Sequence, residues 1–135
     1  MAEPRKPRVL LADDETHIRL LMKTIMSSLN CEVVAEAKNG AEAVELFGKT
    51  CPDIVLLDIN MPMKTGEEAL AEIMAAKRDA FVIMLTSVAD MESVKRCLSL
   101  GASNYLRKDT PLPEIRKKIV ETFNAYLKRK GAADA

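Results

Sequence analysis

Ile54-Val55-Leu56-Leu57-Asp58-Ile59-Asn60-Met61-Pro62 runs four apolar residues into a carboxylate and then breaks at a proline. The apolar run is too short for a helix and lacks polar alternation, which suits a strand buried on both faces of a parallel sheet. Asp58 then stands at the carboxyl end of a central strand, where open α/β sheets carry their ligand sites.

Other short apolar runs lie on either side. Arg8 to Ala12 ends in Asp13-Asp14-Glu15, and Ile18, Leu21, Met22, Ile25 and Leu29 then follow helical spacing. Cys31 to Glu36 reads as a second strand, Asn39-Gly40 as a turn, and Ala41 to Gly48 as a helix with Ala43, Val44 and Phe47 inward. After Pro62 a loop leads to Gly66 and a helix from about Glu67 to Lys77, with Leu70, Ile73 and Met74 apolar. Phe81 to Leu85 is a fourth strand, ending in Thr86-Ser87. Asp90 reads as the N-cap of a helix that Gly101 closes. Ser103 to Leu106 is a fifth strand, ending in Arg107-Lys108. Thr110-Pro111 then opens a helix to about Lys130, with Ile115, Ile119, Phe123, Tyr126 and Leu127 inward. Five strands alternating with helices predict an α/β fold, a parallel sheet covered on both faces, and the natural order at this length is 2-1-3-4-5. The expected divisions are a flexible lead-in over 1–7, one domain over 8–130 and a frayed tail over 131–135.

Composition narrows the class. The 135 residues suit one domain, 48% are apolar, and 20 basic residues balance 20 acidic ones, so nothing global points to nucleic acid or membrane. No apolar run approaches the roughly 20 residues of a membrane span. Three scattered cysteines, Cys31, Cys51 and Cys97, argue against a disulfide framework or zinc and fit a reducing cytoplasm. The basic clusters at Arg116-Lys117-Lys118 and Lys128-Arg129-Lys130 read as a solvated helix face, with docking as the sharper alternative.

The strand ends converge. In the 2-1-3-4-5 order the first and third strands are neighbours roughly 5 Å apart, so Asp13 and Asp14 meet Asp58. Carboxylates that close repel unless a cation sits among them, and Mg²⁺ with oxygen ligands answers this. Lys108 reaches the rim of the same pocket from the fifth strand, and Thr86 and Ser87 arrive from the fourth. Such a set can hold a phosphoryl group, with an Asp as nucleophile. There is no glycine-rich phosphate loop. Each residue also has a plainer reading: Asp13 and Asp14 as helix N-terminal acids, Thr86 as a cap, Tyr105 as an edge aromatic, Met61 and Met63 as loop packing. His17 is expected to be a surface helix residue.

Four motifs carry a resemblance: Leu11-Ala-Asp13-Asp14-Glu15, Leu56-Leu-Asp58-Ile-Asn-Met-Pro62, Met84-Leu-Thr86-Ser87 and Gly101-Ala-Ser-Asn-Tyr105-Leu-Arg-Lys108. In this order, each at an expected strand end, they resemble the receiver domain of two-component response regulators, and the size is similar to that of stand-alone CheY-like receivers. The resemblance spans residues 8 to about 130. It implies a flavodoxin-like (βα)5 fold. It also implies that Asp58 accepts a phosphoryl group from a phosphohistidine of a sensor histidine kinase or phosphotransfer protein. Asp14 would ligate Mg²⁺ directly and Asp13 through water, with Asp58 and the backbone carbonyl of Asn60 completing the protein's share. Lys108, Thr86 and Ser87 would bind the phosphoryl oxygens. Thr86 and Tyr105 would relay the change to the face made by the fourth helix, fifth strand and fifth helix, where a partner docks. A cytoplasmic monomer or weak dimer is implied, acting as a switch rather than as a turnover enzyme.

Two departures stand out. Receivers usually have a proline after the lysine, often with a cis peptide, but here Asp109 follows Lys108. A non-proline cis bond costs about 3 kcal/mol, which leaves a trans bond open, and Asp109 is expected to lie near the lysine and weaken its hold on phosphate. Lys64-Thr65-Gly66 replaces the common Met-Asp-Gly and changes only the rim. Two other function classes use similar residues or the same fold. A haloacid-dehalogenase-type phosphohydrolase needs Asp-x-Asp after its first strand, where this chain has adjacent acids. A phosphorylation-independent adaptor would not need the full set of phosphotransfer residues.

Overall fold

Each short apolar run becomes a strand because its side chains can be covered on both faces. The strands are β1 (Arg8–Ala12), β2 (Glu32–Ala37), β3 (Ile54–Asp58), β4 (Val82–Thr86) and β5 (Asn104–Arg107). They alternate with α1 (Thr16–Ser28), α2 (Gly40–Thr50), α3 (Gly66–Ala76), α4 (Met91–Leu100) and α5 (Leu112–Asp134). The structure, a computed structural model, describes residues 5–87 and 91–134. All strand pairs are parallel, in the order β2-β1-β3-β4-β5.

Successive residues of β3 point to opposite faces and enter separate cores. Val55 and Leu57 pack with Phe47, Leu70, Ile73 and Val94 under α2, α3 and α4. Ile54 and Leu56 pack with Ile18, Met22, Ile25, Ile115 and Ile119 under α1 and α5. Every residue of β3 and β4 is buried, as the unbroken apolar runs predict. Burying one such side chain contributes about 1.5–3 kcal/mol, so these central strands are the most firmly held part of the sheet.

Boundaries differ from the sequence reading where neighbouring strands decide them. β2, β4 and β5 each start one residue later than the apolar run does, because ladder pairing, not hydrophobicity, sets the end. Asn39 is not part of a free turn; its side chain caps α2 by accepting from the Glu42 amide at 2.8 Å. α5 begins at Leu112, with the Pro111 carbonyl accepting from Ile115 at 3.1 Å, so Pro111 stands one place earlier than a first helical residue. α5 also runs past the expected end at Lys130 to Asp134, since one glycine costs a helix only about 1 kcal/mol and Ala132-Ala133 favour it. Leu127 faces outward, 48% exposed, while Phe123 and Tyr126 pack tilted against the Phe81 ring. The expected lead-in is tied down over its described part. Arg5 forms a two-pronged pair with Asp53, and the Pro7 carbonyl accepts from Glu32 at 2.9 Å. Residues 1–4, the Asp90 cap and Val88 lie outside the described residues. Gly101 takes φ +117° where α4 ends, as a helix-closing glycine should.

The loop after Pro62 ends in a capping box at α3: the Thr65 side chain accepts from the Glu68 amide, and Glu68 reaches back to the Thr65 amide. Thr65→Ala is expected to cost about 1 kcal/mol of stability in a urea titration, whereas Thr65→Ser should cost little.

Candidate functional site

Strand register brings the site together. Ala12 pairs with Leu57, which sets Asp13 beside Asp58 one residue further on. Asp58 pairs with Leu85, and Thr86 with Arg107, so Thr86 and Lys108 follow in steps across the same edge. The Lys108 amide donates to the Thr86 carbonyl at 2.8 Å, which fixes where its stem begins. Among the described residues, oxygens of Asp13, Asp14 and Asp58 lie within 4.8 Å of one another. Asp13 and Asp58 are buried and Asp14 is exposed, so the cluster reaches solvent at Asp14. Thr86 is buried and Ser87 is exposed at the rim.

Lys108 does not wait at the rim. Its ammonium lies 2.7 Å from Asp13 Oδ2 and 3.3 Å from Asp58 Oδ2, and its side chain is only 7% exposed. The approach to Asp13 Oδ2 is close but not aligned, so that buried oxygen has a charge neighbour without a directed hydrogen bond. Burial acts against the Lys108 ammonium, but the carboxylates of Asp13 and Asp58 outweigh it and hold its pKa above the ordinary lysine value. For Asp58, burial first and the Asp13 charge second push the pKa up to about 7. The Lys108 ammonium and the Asn60 amide, which donates to Asp58 Oδ1 at 3.2 Å, recover part of the shift. One lysine is thus too little positive charge for this set of carboxylates. The crowded oxygens and the Asp13 Oδ2 atom without an aligned donor fit a hard divalent cation with oxygen ligands.

Asp109 does not lie against the lysine. Arg107 takes it in a fork, Nε at 3.0 Å and Nη2 at 2.7 Å, as the chain turns after β5 with the Thr110 amide donating to the Arg107 carbonyl at 3.1 Å. Among the described residues no peptide is cis, so the Lys108–Asp109 bond is trans. Tyr105 is half-buried, packed at the edge of the core under α2, α3 and α4, with the Lys118 ammonium 4.5 Å from its ring centre. Met61 is buried as expected, but Met63 is 85% exposed at φ +69°. His17 is exposed and touches only Glu15 among the acids, at 3.3 Å, away from the carboxylate cluster.

Glu15 has no expected role in the sequence beyond closing the first acidic motif, yet its Oε1 lies 3.3 Å from the Lys108 ammonium. The unbroken acidic run Asp13-Asp14-Glu15 was the available signal. Gly66 has a similar hidden role. Its amide donates to the Ile59 carbonyl at 2.8 Å, and a Cβ there would stand 1.9 Å from the Asp58 carbonyl oxygen.

Comparison with known proteins agrees with this arrangement. Residues 9–120 match the model of the response regulator receiver domain. The chain is 36% identical over 118 residues to the chemotaxis protein CheY of Halobacterium salinarum, covering 87% of this chain and 98% of that one. It is 42% identical over 101 residues to CheY of Listeria monocytogenes, covering 75% and 85%. Among solved structures, the CheX–CheY–BeF3–Mg complex from Borrelia burgdorferi superposes with TM-score 0.82 at 30% identity, covering 86% of this chain and 88% of that one. Receivers of this kind are signalling switches rather than turnover enzymes on external substrates. Among the described residues no helix is long and apolar enough to cross a membrane. With the motifs, the strand order and the acidic cluster all in agreement, the chain belongs to the response regulator receiver domain family and is a CheY-like receiver of two-component signalling.

Proposed function

We propose that Asp58 is the phosphoacceptor of this receiver. The observation that carries the reading is the convergence of the Asp13, Asp14 and Asp58 oxygens with the Lys108 ammonium at one strand edge. An Asp58 oxygen forms the new bond to phosphorus as the P–N bond of a phosphohistidine breaks, and the imidazole leaves with the electron pair and takes up a proton. Asp13, Asp14, Asp58 and the Asn60 carbonyl would hold Mg²⁺, which when bound offsets the carboxylate charges and the charge on the phosphoryl oxygens. The Borrelia burgdorferi complex, which contains CheY with BeF3 and Mg²⁺, supports this choice of ion. Lys108 binds a phosphoryl oxygen, and the Thr86 and Ser87 hydroxyls reach the others. Thr86 and Tyr105 then bias the α4–β5–α5 face toward its partner-binding state, a shift between two existing conformations. The donor is a sensor histidine kinase or a phosphotransfer protein of the cytoplasm, and the receiver acts as a monomer or weak dimer.

Incubation with acetyl phosphate and Mg²⁺ is expected to add one phosphoryl group by mass, at Asp58 and nowhere else. An unchanged mass, or incorporation that persists in Asp58→Asn, overturns the assignment. Mg²⁺ alone should also raise the melting temperature, since a ligand at a hundredfold over its dissociation constant stabilises by about 2.7 kcal/mol. Chelation should reverse the gain, and Asp14→Asn should remove most of it.

A further inference from the structure

We infer that Arg19, anchored by Glu36, is a positioning residue for Asp14: it holds the peptide plane from which that acid reaches a divalent cation. This role rests on the reading of Asp13, Asp14 and Asp58 as cation ligands. Asp14 is exposed, so packing does not aim its side chain, and its direction depends on the backbone on either side. The preceding peptide is a rigid plane that joins the Asp13 carbonyl to the Asp14 amide. Arg19 Nη1 donates to that carbonyl at 2.7 Å, a short charge-assisted bond. The following peptide is held by the Glu15 amide, which donates to Asp13 Oδ1 at 2.9 Å. Ahead of both, the Asp13 amide donates to the Ala37 carbonyl at 3.0 Å. Of these three fastenings, only the one from Arg19 uses a side chain outside the acidic run.

Helix α1 delivers the guanidinium. Arg19 lies in the first turn, its amide donating to the Glu15 carbonyl at 3.1 Å. Helical side chains lean toward the N-terminus, so its stem runs back to the end of β1. The side chain is only 11% exposed, and Glu36 Oε1 on β2 lies 3.5 Å from its Nε. Nη2 reaches the Thr16 hydroxyl at 3.4 Å, and Lys23 holds the other Glu36 oxygen at 3.3 Å. A planar guanidinium can serve a carbonyl and a carboxylate at once, so one side chain ties the Asp13 carbonyl to the neighbouring strand. The charge of Arg19 by itself opposes a cation nearby, because like charges repel. Positioning and charge therefore predict opposite signs when Arg19 is removed.

The test is calorimetry of Mg²⁺ and Ca²⁺ binding to the wild type, Arg19→Met, Glu36→Gln and the double variant. Mg²⁺ demands near-octahedral geometry and Ca²⁺ accepts a looser one, so lost positioning falls on Mg²⁺, whereas a change of charge acts on both ions alike. Arg19→Met is expected to weaken Mg²⁺ about tenfold and Ca²⁺ less than about threefold. Glu36→Gln should lower the preference for Mg²⁺ over Ca²⁺ by a smaller factor and add nothing in the Arg19→Met background. Tighter Mg²⁺ binding by Arg19→Met, or an equal change for both ions, would mean that only the charge is felt and would overturn the inference alone. Glu36 lies half-exposed on an edge strand, so Glu36→Gln decides the matter if Arg19→Met does not fold. A wild-type ratio of the two affinities in Glu36→Gln then sinks the proposal. A wild type that does not respond to Mg²⁺ overturns both this inference and the cation reading beneath it.

Discussion

Asp58→Asn is expected to abolish phosphoryl incorporation and, in the metal-free protein, to make the fold more stable at neutral pH. The first effect follows from losing the nucleophilic carboxylate. The second follows from the site's electrostatics. Burial and the Asp13 charge raise the Asp58 pKa from 3.8 to about 7, so the fold disfavours its ionised form. Between those two values the folded protein binds more protons at Asp58 than the unfolded chain does. Stability therefore falls as pH rises through this window, the opposite of a salt-bridged carboxylate. The loss is on the order of a few kcal/mol across the whole window. The groups that face Asp58, namely Asp13, Asp14, Lys108 and the Asn60 amide, remain in the variant, so the comparison removes the Asp58 carboxylate and leaves its neighbours. Urea titrations with chelator present, at pH 4, 6 and 8, provide the measurement. The wild type should weaken across the series, and Asp58→Asn should lack this contribution. Parallel curves for the two proteins would show that Asp58 ionises without strain. Mg²⁺ should reverse the ranking at pH 8, because the wild type keeps the full set of carboxylates.

Gly66→Ala is the second large effect, and it acts from outside the carboxylate cluster. The added Cβ would stand 1.9 Å from the Asp58 carbonyl oxygen and 2.8 Å from Ile59 Cα. Both neighbours are backbone, and β3 is buried on both sides, so no flexible side chain can absorb the clash. Either α3 retreats or the end of β3 moves. Overpacking of this kind costs about 1–3 kcal/mol and occasionally more. Because the displaced backbone carries Asp58, phosphorylation by acetyl phosphate should slow as well. Gly48→Ala is the matched control: a Cβ there meets nothing within 4 Å. It should stabilise α2 by up to about 1 kcal/mol through helix propensity and leave phosphorylation untouched. If both variants unfold at the wild-type denaturant concentration, the close approach at Gly66 does not constrain Asp58.

The two variants separate what is local from what is not. Gly48 and Gly66 both sit in amphipathic helical stretches, and the sequence offers little to distinguish them. Only the approach of α3 to the end of β3 makes one indispensable. The same holds for Asp109, which neighbours Lys108 in sequence but is captured by Arg107. Leu127 fits the apolar spacing of α5 yet lies beyond the reach of the sheet, where Phe123 and Tyr126 have already closed the core against Phe81.

What the sequence determined by itself was the alternation of elements, the two-faced burial of β3 and β4, and the identity of the strand-end residues. These are one-dimensional properties: run length, period and the residue that ends each run. From them, with the handedness of the crossovers, the order β2-β1-β3-β4-β5 and the meeting of Asp13, Asp14, Asp58 and Lys108 could be read. The tertiary structure alone decided how deep the lysine lies, that Glu15 shares it, and that Gly66 presses on the backbone of Asp58. Those facts depend on distances of a few ångströms between segments far apart in the chain, such as Glu15 and Lys108, 93 residues from each other. A pattern of residue types carries no such distances; packing of the two cores against the sheet sets them.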